Sequence, residues 1–358
     1  MTSALDPASR PHAVRAGLTS AGRQTATGVP GLRHRPSAPT RRPTTWTPEL
    51  LEKVEWRARA AAEPFRGVTS PDGLVEALFP LRPTGIDMRP VRTAAEAYLA
   101  ALTHDELRRG LLPMGDTTWR QWANGARYFL RHGLCLEELA PEKRSLALAM
   151  VRASLSDAGF LQVLDLMHLN LTVGELRREE DLLNEWLYWV TVYGSPDDGV
   201  WGWQLDGHHV NINCVFVGDQ MTLTPTFLGA EPVHADAGKY AGTTVFRPEE
   251  SIGLELFTSL SARQRASAVI AEQMPEDLFV GAFRDNFELR YEGLRLAEMT
   301  STQSRTAAEL IGLYVDRAPR RHAEVRMDEV TAHWGETHLP GWEARLLTGS
   351  STTASTAP

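Results

Sequence analysis

Between residues 194 and 228 the spacing of apolar residues changes from a helical period to alternation, and no other feature narrows the possible folds as much. Gly194-Ser-Pro-Asp-Asp-Gly199 is dense in turn formers. Residues 200–217 then alternate, residues 220–228 alternate again, and Gly218-Asp219 between them has the chemistry of a two-residue hairpin turn. On both sides the period is helical. Helices are expected over 48–62 (behind Thr47 as N-cap), 91–109, 114–133, 142–157, most of 160–193, 248–259, 261–272 and 301–334. Thr172 and Glu175 have capping-box spacing. The expected class is α+β: predominantly helical, with a small antiparallel sheet including a central hairpin.

Composition bounds the rest. Of 358 residues, 42% are hydrophobic and 23% charged, which suits a globular chain. Residues 1–44 hold seven arginines against one acid, Asp6, and have no apolar period, so they read as a disordered basic extension. Residues 45–338 read as a single α+β domain, and 339–358 as a divergent, disordered tail rich in Ser, Thr and Ala. The net charge of −8 argues against nucleic acid or an anionic membrane as partner. No apolar run nears the roughly 20 residues that cross a bilayer, and no secretory signal opens the chain. Two distant cysteines, Cys135 and Cys214, exclude a disulfide framework and suit a reducing compartment. A cytoplasmic protein is expected, its partner a small-molecule ligand.

The alternating segment carries the candidate chemistry. If residues 201–217 form one strand, Trp201, Trp203, Gly207, His209, Asn211 and Asn213 share a face, while Val210, Ile212, Cys214 and Phe216 share the other. Two indoles followed by an imidazole and two amides need partners or a ligand. A bulge at Gly207 would swap the register, so His208 and His209 both remain candidates. The loop after the hairpin adds Glu231, His234 and Asp236. Histidines with carboxylates are the ligand mix of zinc or non-haem iron sites, so His209, His234 and Glu231 form a candidate metal set with such a divalent ion as cofactor. The same groups, with His208, suit general acid–base catalysis. The alternative without a ligand is a buried histidine–amide network that locks a hairpin; a binding or catalytic pocket is the favoured expectation.

Other candidates are weaker. His168 and Asn170 sit in an apolar stretch and read as core. Asn184, Glu185, Trp186 and Trp189 read as a packing seam on a helix. Arg284, beside Asp285, could hold an anionic substrate group, although a short Arg-Asp pair is more often a structural ion pair. His322, Arg326, Glu329 and His333 share a helix face.

The segments Trp201-Gly-Trp-Gln-Leu-Asp-Gly-His-His-Val-Asn-Ile-Asn213 and Leu223-Thr-Pro-Thr-Phe-Leu-Gly-Ala-Glu-Pro232 resemble the bacterial family catalogued as domain of unknown function 3500. Met167-His-Leu-Asn-Leu171, Asn184-Glu-Trp-Leu-Tyr-Trp189 and Phe283-Arg-Asp-Asn-Phe-Glu-Leu-Arg-Tyr-Glu-Gly293 resemble it too, over roughly 45–338. The resemblance implies where the site lies and no activity. Members of that family continue beyond a segment like Glu336-Thr-His338 into an aromatic strand and a histidine stretch; here Leu339-Pro-Gly-Trp-Glu-Ala-Arg-Leu-Leu347 follows, which reads as a truncated or frameshifted end.

Two functions remain in view. One is an enzyme acting on a small polar substrate, with His208, His209, His234 and Glu231 catalytic, Asn211, Asn213 and Arg284 orienting substrate, and Trp201 and Trp203 as the wall. The other is a non-catalytic small-molecule binder using the same pocket.

Overall fold

The computed structural model describes residues 47–74, 79–126, 131–271 and 281–342. The basic extension 1–44, residues 343–358 of the tail, and Tyr128 and Phe129 of the helix expected over 114–133 lie outside the described residues.

Local signals set most helix starts. Helix α1 (Pro48–Ala62) opens with proline in its first turn and Glu49 beside it, as the sequence implies. Helix α2 (Arg89–Ala101) ends at Leu102, because Thr103 and Glu106 form a reciprocal cap that starts α3 (His104–Gly110). The single helix expected over 91–109 is therefore two. Strand β1 (Leu111–Leu112) follows directly, then a single 3-10 turn at Thr117–Gln121, strand β2 (Leu134–Cys135) and α4 (Pro141–Ala153). Helix α5 (Asp157–Arg177) starts at Ser156, whose hydroxyl accepts from the Gly159 amide. Thr172 lies inside α5 and caps nothing; its hydroxyl donates to the His168 carbonyl.

The sheet corrects the expected class. Strands β3 (Tyr188–Gly194), β4 (Val200–Gly207) and β5 (Val210–Val217) form an antiparallel meander, extended by β6 (Gln220–Thr222) and β7 (Thr226–Leu228), both on β5. Strand β1 pairs with β3 in parallel, and β2 pairs with β3 antiparallel. The sheet is thus seven-stranded and mixed, and the protein is mixed α/β. Two reasons explain the difference. Tyr188-Trp-Val-Thr-Val-Tyr193 is buried on both faces and shows no alternation, so it merges with the helical pattern before it. The two-residue strand β1 leaves no periodic signal at all.

The remainder is helical with two small strand pairs. Helices α6 (Arg247–Ser259) and α7 (Ala262–Ala268) precede β8 (Val269–Ala271) and β9 (Leu294–Arg295). Helices α8 (Ser301–Val315) and α9 (Arg320–Ala332) precede β10 (His338–Leu339), antiparallel to β9, and β11 (Gly341–Trp342), parallel to β8. The start of the expected tail is therefore paired strand. Among the described residues no helix is long and apolar enough to cross a membrane.

The decisive feature is the turn between β4 and β5. Gly207 pairs with Val210, so His208 and His209 are the two turn residues. A two-residue turn shifts the parity of the face. Trp201, Trp203 and Leu205 join Val210, Ile212, Cys214 and Phe216 on the side packed against α4 and α5, with Met150, Val163 and Met167. Gln204, Asp206, Asn211 and Asn213 share the opposite side. Gly207 is required at its own register: a Cβ there would overlap the ring of Tyr188, its partner on β3. Gly207→Ala is expected to cost about 1–3 kcal/mol by urea denaturation. Wild-type stability in that variant would mean that the Tyr188 ring yields freely.

Candidate functional site

The expected odd face does not exist as one surface. Trp201 stacks on Phe216 at 4.4 Å, and the Trp203 indole donates to the Ser154 hydroxyl at 2.9 Å. Both indoles are core, which corrects their reading as a pocket wall. Asn211 and Asn213 lie on the opposite face, in a buried polar layer between the sheet and the segment 116–135. Arg131 and Asp206 form an ion pair at 2.6 Å, with each side chain 2% exposed. The Ala123 amide donates to the other Asp206 oxygen at 3.1 Å, and the Arg131 guanidinium lies over the Trp189 ring. Gln204 donates to Asn213 Oδ1 (2.7 Å) and to the Trp119 carbonyl (2.8 Å). Asn213 donates to the Pro225 carbonyl, and Asn211 to the Gly207 carbonyl. His132 bonds Tyr193 through Nε2 at 2.7 Å, and burial pushes its pKa down, so it stays neutral. Each of these amides donates to a protein partner, in the manner of a network that locks a hairpin, while Asn211 Oδ1 and Gln204 Oε1 are buried with no hydrogen-bond partner among the described residues.

The His208–His209 turn is different. Its backbone is pinned on every side: His209 N–H donates to the Asn124 carbonyl, its carbonyl accepts from Gly229, and the Tyr188 hydroxyl donates to the His208 carbonyl at 3.0 Å. His209 is held at φ +60, a left-handed conformation that costs a non-glycine residue about 1 kcal/mol. The two rings lie 3.9 Å apart at 32°.

A short relay settles the His208 tautomer. The Asn170 amide nitrogen donates to the Asn184 carbonyl at 2.8 Å, so its oxygen is the group 2.7 Å from His208 Nδ1. An amide oxygen can only accept, so Nδ1 carries the proton and Nε2 the lone pair. Among the described residues Nε2 has no hydrogen-bond partner. Burial pushes the His208 pKa down to about 3, with His209, Arg131 and Arg177 acting in the same direction. Burial also lowers the His209 pKa, but there Glu231 opposes the effect. Glu231 pairs with Arg177 at 3.3 Å on the half-exposed rim.

The remaining predicted residues are dispersed. His234 bonds the Thr244 hydroxyl through Nδ1 at 2.5 Å and faces Asp236 at 3.4 Å. His209, His234 and Glu231 therefore do not assemble, and among the described residues no three His, Cys, Asp or Glu side chains are placed to hold a metal. Arg284 lies elsewhere, in a cleft of about 640 Å³ at the β7 edge of the sheet. Its neighbour Asp285 pairs with Arg120 at 2.5 Å. Cys135 and Cys214 are both buried thiols.

Three participants were absent from the expected set: Asn170, Tyr188 and Arg177. An asparagine between Leu169 and Leu171, in the most apolar part of α5, was the visible signal for Asn170. Tyr188 gave none, because it sits in a run that is apolar throughout. The loop after β7 also docks on α5 in a way the sequence hides. Lys239 binds Glu185 at 2.8 Å, and Tyr240 stacks on His168 at 3.8 Å.

A family model described as a protein of unknown function (DUF3500) matches residues 84–347. No curated protein matches the chain, and no solved structure does.

Proposed function

Since the chain belongs to the DUF3500 family of proteins of unknown function, its chemistry has to come from its own residues, and we propose that it is an enzyme acting on a small polar substrate at the His208–His209 turn. The observation that carries this reading is the relay from the Asn184 carbonyl through Asn170 to His208. It holds a neutral imidazole in one tautomer with its lone-pair nitrogen unclaimed among the described residues, at a turn whose backbone is strained and tethered at His208 and His209. His208 accepts a hydrogen bond from substrate. His209 is also disfavoured as a cation by burial, but Glu231 opposes that effect, so of the two rings His209 is the one assigned to pass a proton during turnover. Two imidazoles in contact whose environments differ in this way divide the acceptor and proton-carrier roles between them.

One observation favours a second reading, a non-catalytic binder at the same turn. A histidine with a pKa of about 3 is a better hydrogen-bond acceptor than a base at neutral pH.

The test is a panel of polyols, hydroxy acids and amino acids, screened by thermal shift and by proton NMR for turnover. For an enzyme, His209→Ala is expected to lower turnover about 10²–10⁴-fold, and His208→Ala to abolish binding of the same compound. Binding lost in His208→Ala without turnover in the wild type leaves the binder. Hits indifferent to both substitutions remove both readings.

A further inference from the structure

The cleft at the β7 edge is separate from the His208–His209 turn. Phe227 lies between them, stacked on Trp122 at 6.4 Å and 6.2 Å from the His209 ring. Alternation along β7 sends Thr226 and Leu228 into the cleft lining and leaves Phe227 outside it. Five parts of the chain converge here: the segment 65–68, Trp119 to Trp122, α5 through Gly159 and Val163, residues 223–228, and the segment 281–289 with Tyr314 and Arg317.

Its size and lining are those of a small-molecule site. A volume of about 640 Å³ lies within the usual range for such pockets. The floor is core: Trp122, Leu155, Val163 and Ile212 line the cleft and are buried. The rim is unusual. Phe65, Val68, Leu289 and Tyr314 are large apolar side chains left between 39% and 53% exposed, and all four line this one cleft. Phe65 meets Trp119 edge to face at 5.0 Å, so an aromatic corner stands at the mouth. Scattered exposed apolar residues are ordinary on a protein surface, whereas a set gathered around a cavity with an apolar floor marks a place that an apolar body covers.

The charged groups in the lining are already spent. Arg120 pairs with Asp285, the only carboxylate in the lining among the described residues, and is tied to the carbonyls of Ala61 and Glu63. Arg317 pairs with Glu249 at 3.3 Å, each side chain 12% exposed, and donates to Gln162 at 2.8 Å. Arg284 is not free either. An anionic ligand would have to compete with Asp285 or Glu249 for a guanidinium that is already answered. A cationic one would have to take Asp285 from Arg120, whose side chain is 4% exposed. Either head would lose its hydration in an apolar cleft without gaining a counter-charge. The lining therefore selects an uncharged ligand.

The exposed threonines on the β7 side supply the polar contacts. The Thr226 hydroxyl spends its proton on the Leu223 carbonyl at 2.7 Å and keeps its lone pairs. The Thr224 hydroxyl accepts from Thr222 at 3.2 Å, and its own proton is unspent among the described residues. One acceptor and one donor, two residues apart, match a hydroxyl group, which donates once and accepts once.

We propose that this cleft binds an uncharged aryl or alkyl alcohol, with the body against Trp119, Trp122 and Leu223 and the hydroxyl at Thr224 and Thr226. The proposal is independent of the chemistry at the histidine turn.

Calorimetric titration of the full chain with 4-phenyl-1-butanol, 4-phenylbutyrate and 4-phenylbutylamine presents one body with three heads. The alcohol is expected to bind about tenfold or more tightly than either charged analogue. Phe65→Ala, at the exposed rim, is expected to weaken alcohol binding about tenfold through lost apolar contact. Thr226→Trp, at an exposed position on the edge strand, is expected to fill the cleft and abolish binding without disturbing the fold. His209→Ala is expected to leave binding unchanged, which separates this site from the histidine turn. A charged analogue that binds as tightly as the alcohol, binding that survives Thr226→Trp, binding lost in His209→Ala, or no alcohol binding at millimolar concentration overturns the proposal.

Discussion

Replacing Asp206 by alanine is expected to lower folding stability by about 3–5 kcal/mol. The reason is the partner left behind. Arg131 has a side chain 2% exposed, so losing the carboxylate 2.6 Å away removes a close counter-charge from a buried cation in the polar layer. The Ala123 amide loses its acceptor in the same step. The double variant Arg131→Met with Asp206→Leu is expected to be much milder than Asp206→Ala, because no uncompensated charge remains. Urea denaturation of the three proteins decides the matter. An Asp206→Ala variant within about 1 kcal/mol of wild type would mean that water or a rearranged neighbour solvates Arg131.

The second large effect is acid destabilisation through His208. Its pKa is near 3 in the folded protein and 6.5 when unfolded. Between those values the unfolded chain binds a proton that the folded chain refuses, so stability falls as the pH drops. The contribution is complete above pH 6.5 and is lost progressively toward pH 3. Each pH unit inside that window is worth about 1.4 kcal/mol, or roughly 2 kcal/mol between pH 6.5 and 5. His132, buried and also lowered, acts in the same direction, so the wild type alone cannot isolate His208. The measurement is therefore the difference between wild type and His208→Gln at pH 7, 6 and 5. The variant is expected to lose less stability on acidification, by about one proton's worth of slope. Parallel pH dependences in the two proteins would show that His208 is accessible to protons in the folded state.

Much of the architecture was legible. The start of α1, the turn after Gly194 and the Gly218-Asp219 hairpin follow from proline placement, turn formers and alternation. Three strands of the seven-stranded sheet escaped notice because alternation needs one wet face and several residues. Strand β3 has no wet face, and β1 and β2 have two residues each. The polar segment around His208 and His209 was legible in place and misread in arrangement. His208 and His209 lack the glycine or asparagine that usually marks a two-residue turn, so the hairpin between β4 and β5 passed as one strand. That single error of parity put Trp201 and Trp203 beside Asn211 and Asn213, when the sheet carries them on opposite faces.

The sequence alone determined which segments are periodic, where polar groups interrupt apolar runs, and that the unusual polarity concentrates between Trp201 and Asp236. These are properties of near neighbours, and near neighbours set local backbone preferences. The tertiary structure decided which polar groups are satisfied by the protein and which remain to act. Asp206 finds Arg131 from 75 residues away, whereas His208 takes its tautomer from Asn170 on a helix 38 residues earlier. No periodicity encodes such pairings, because the partner of a buried polar group is fixed by which elements pack against it.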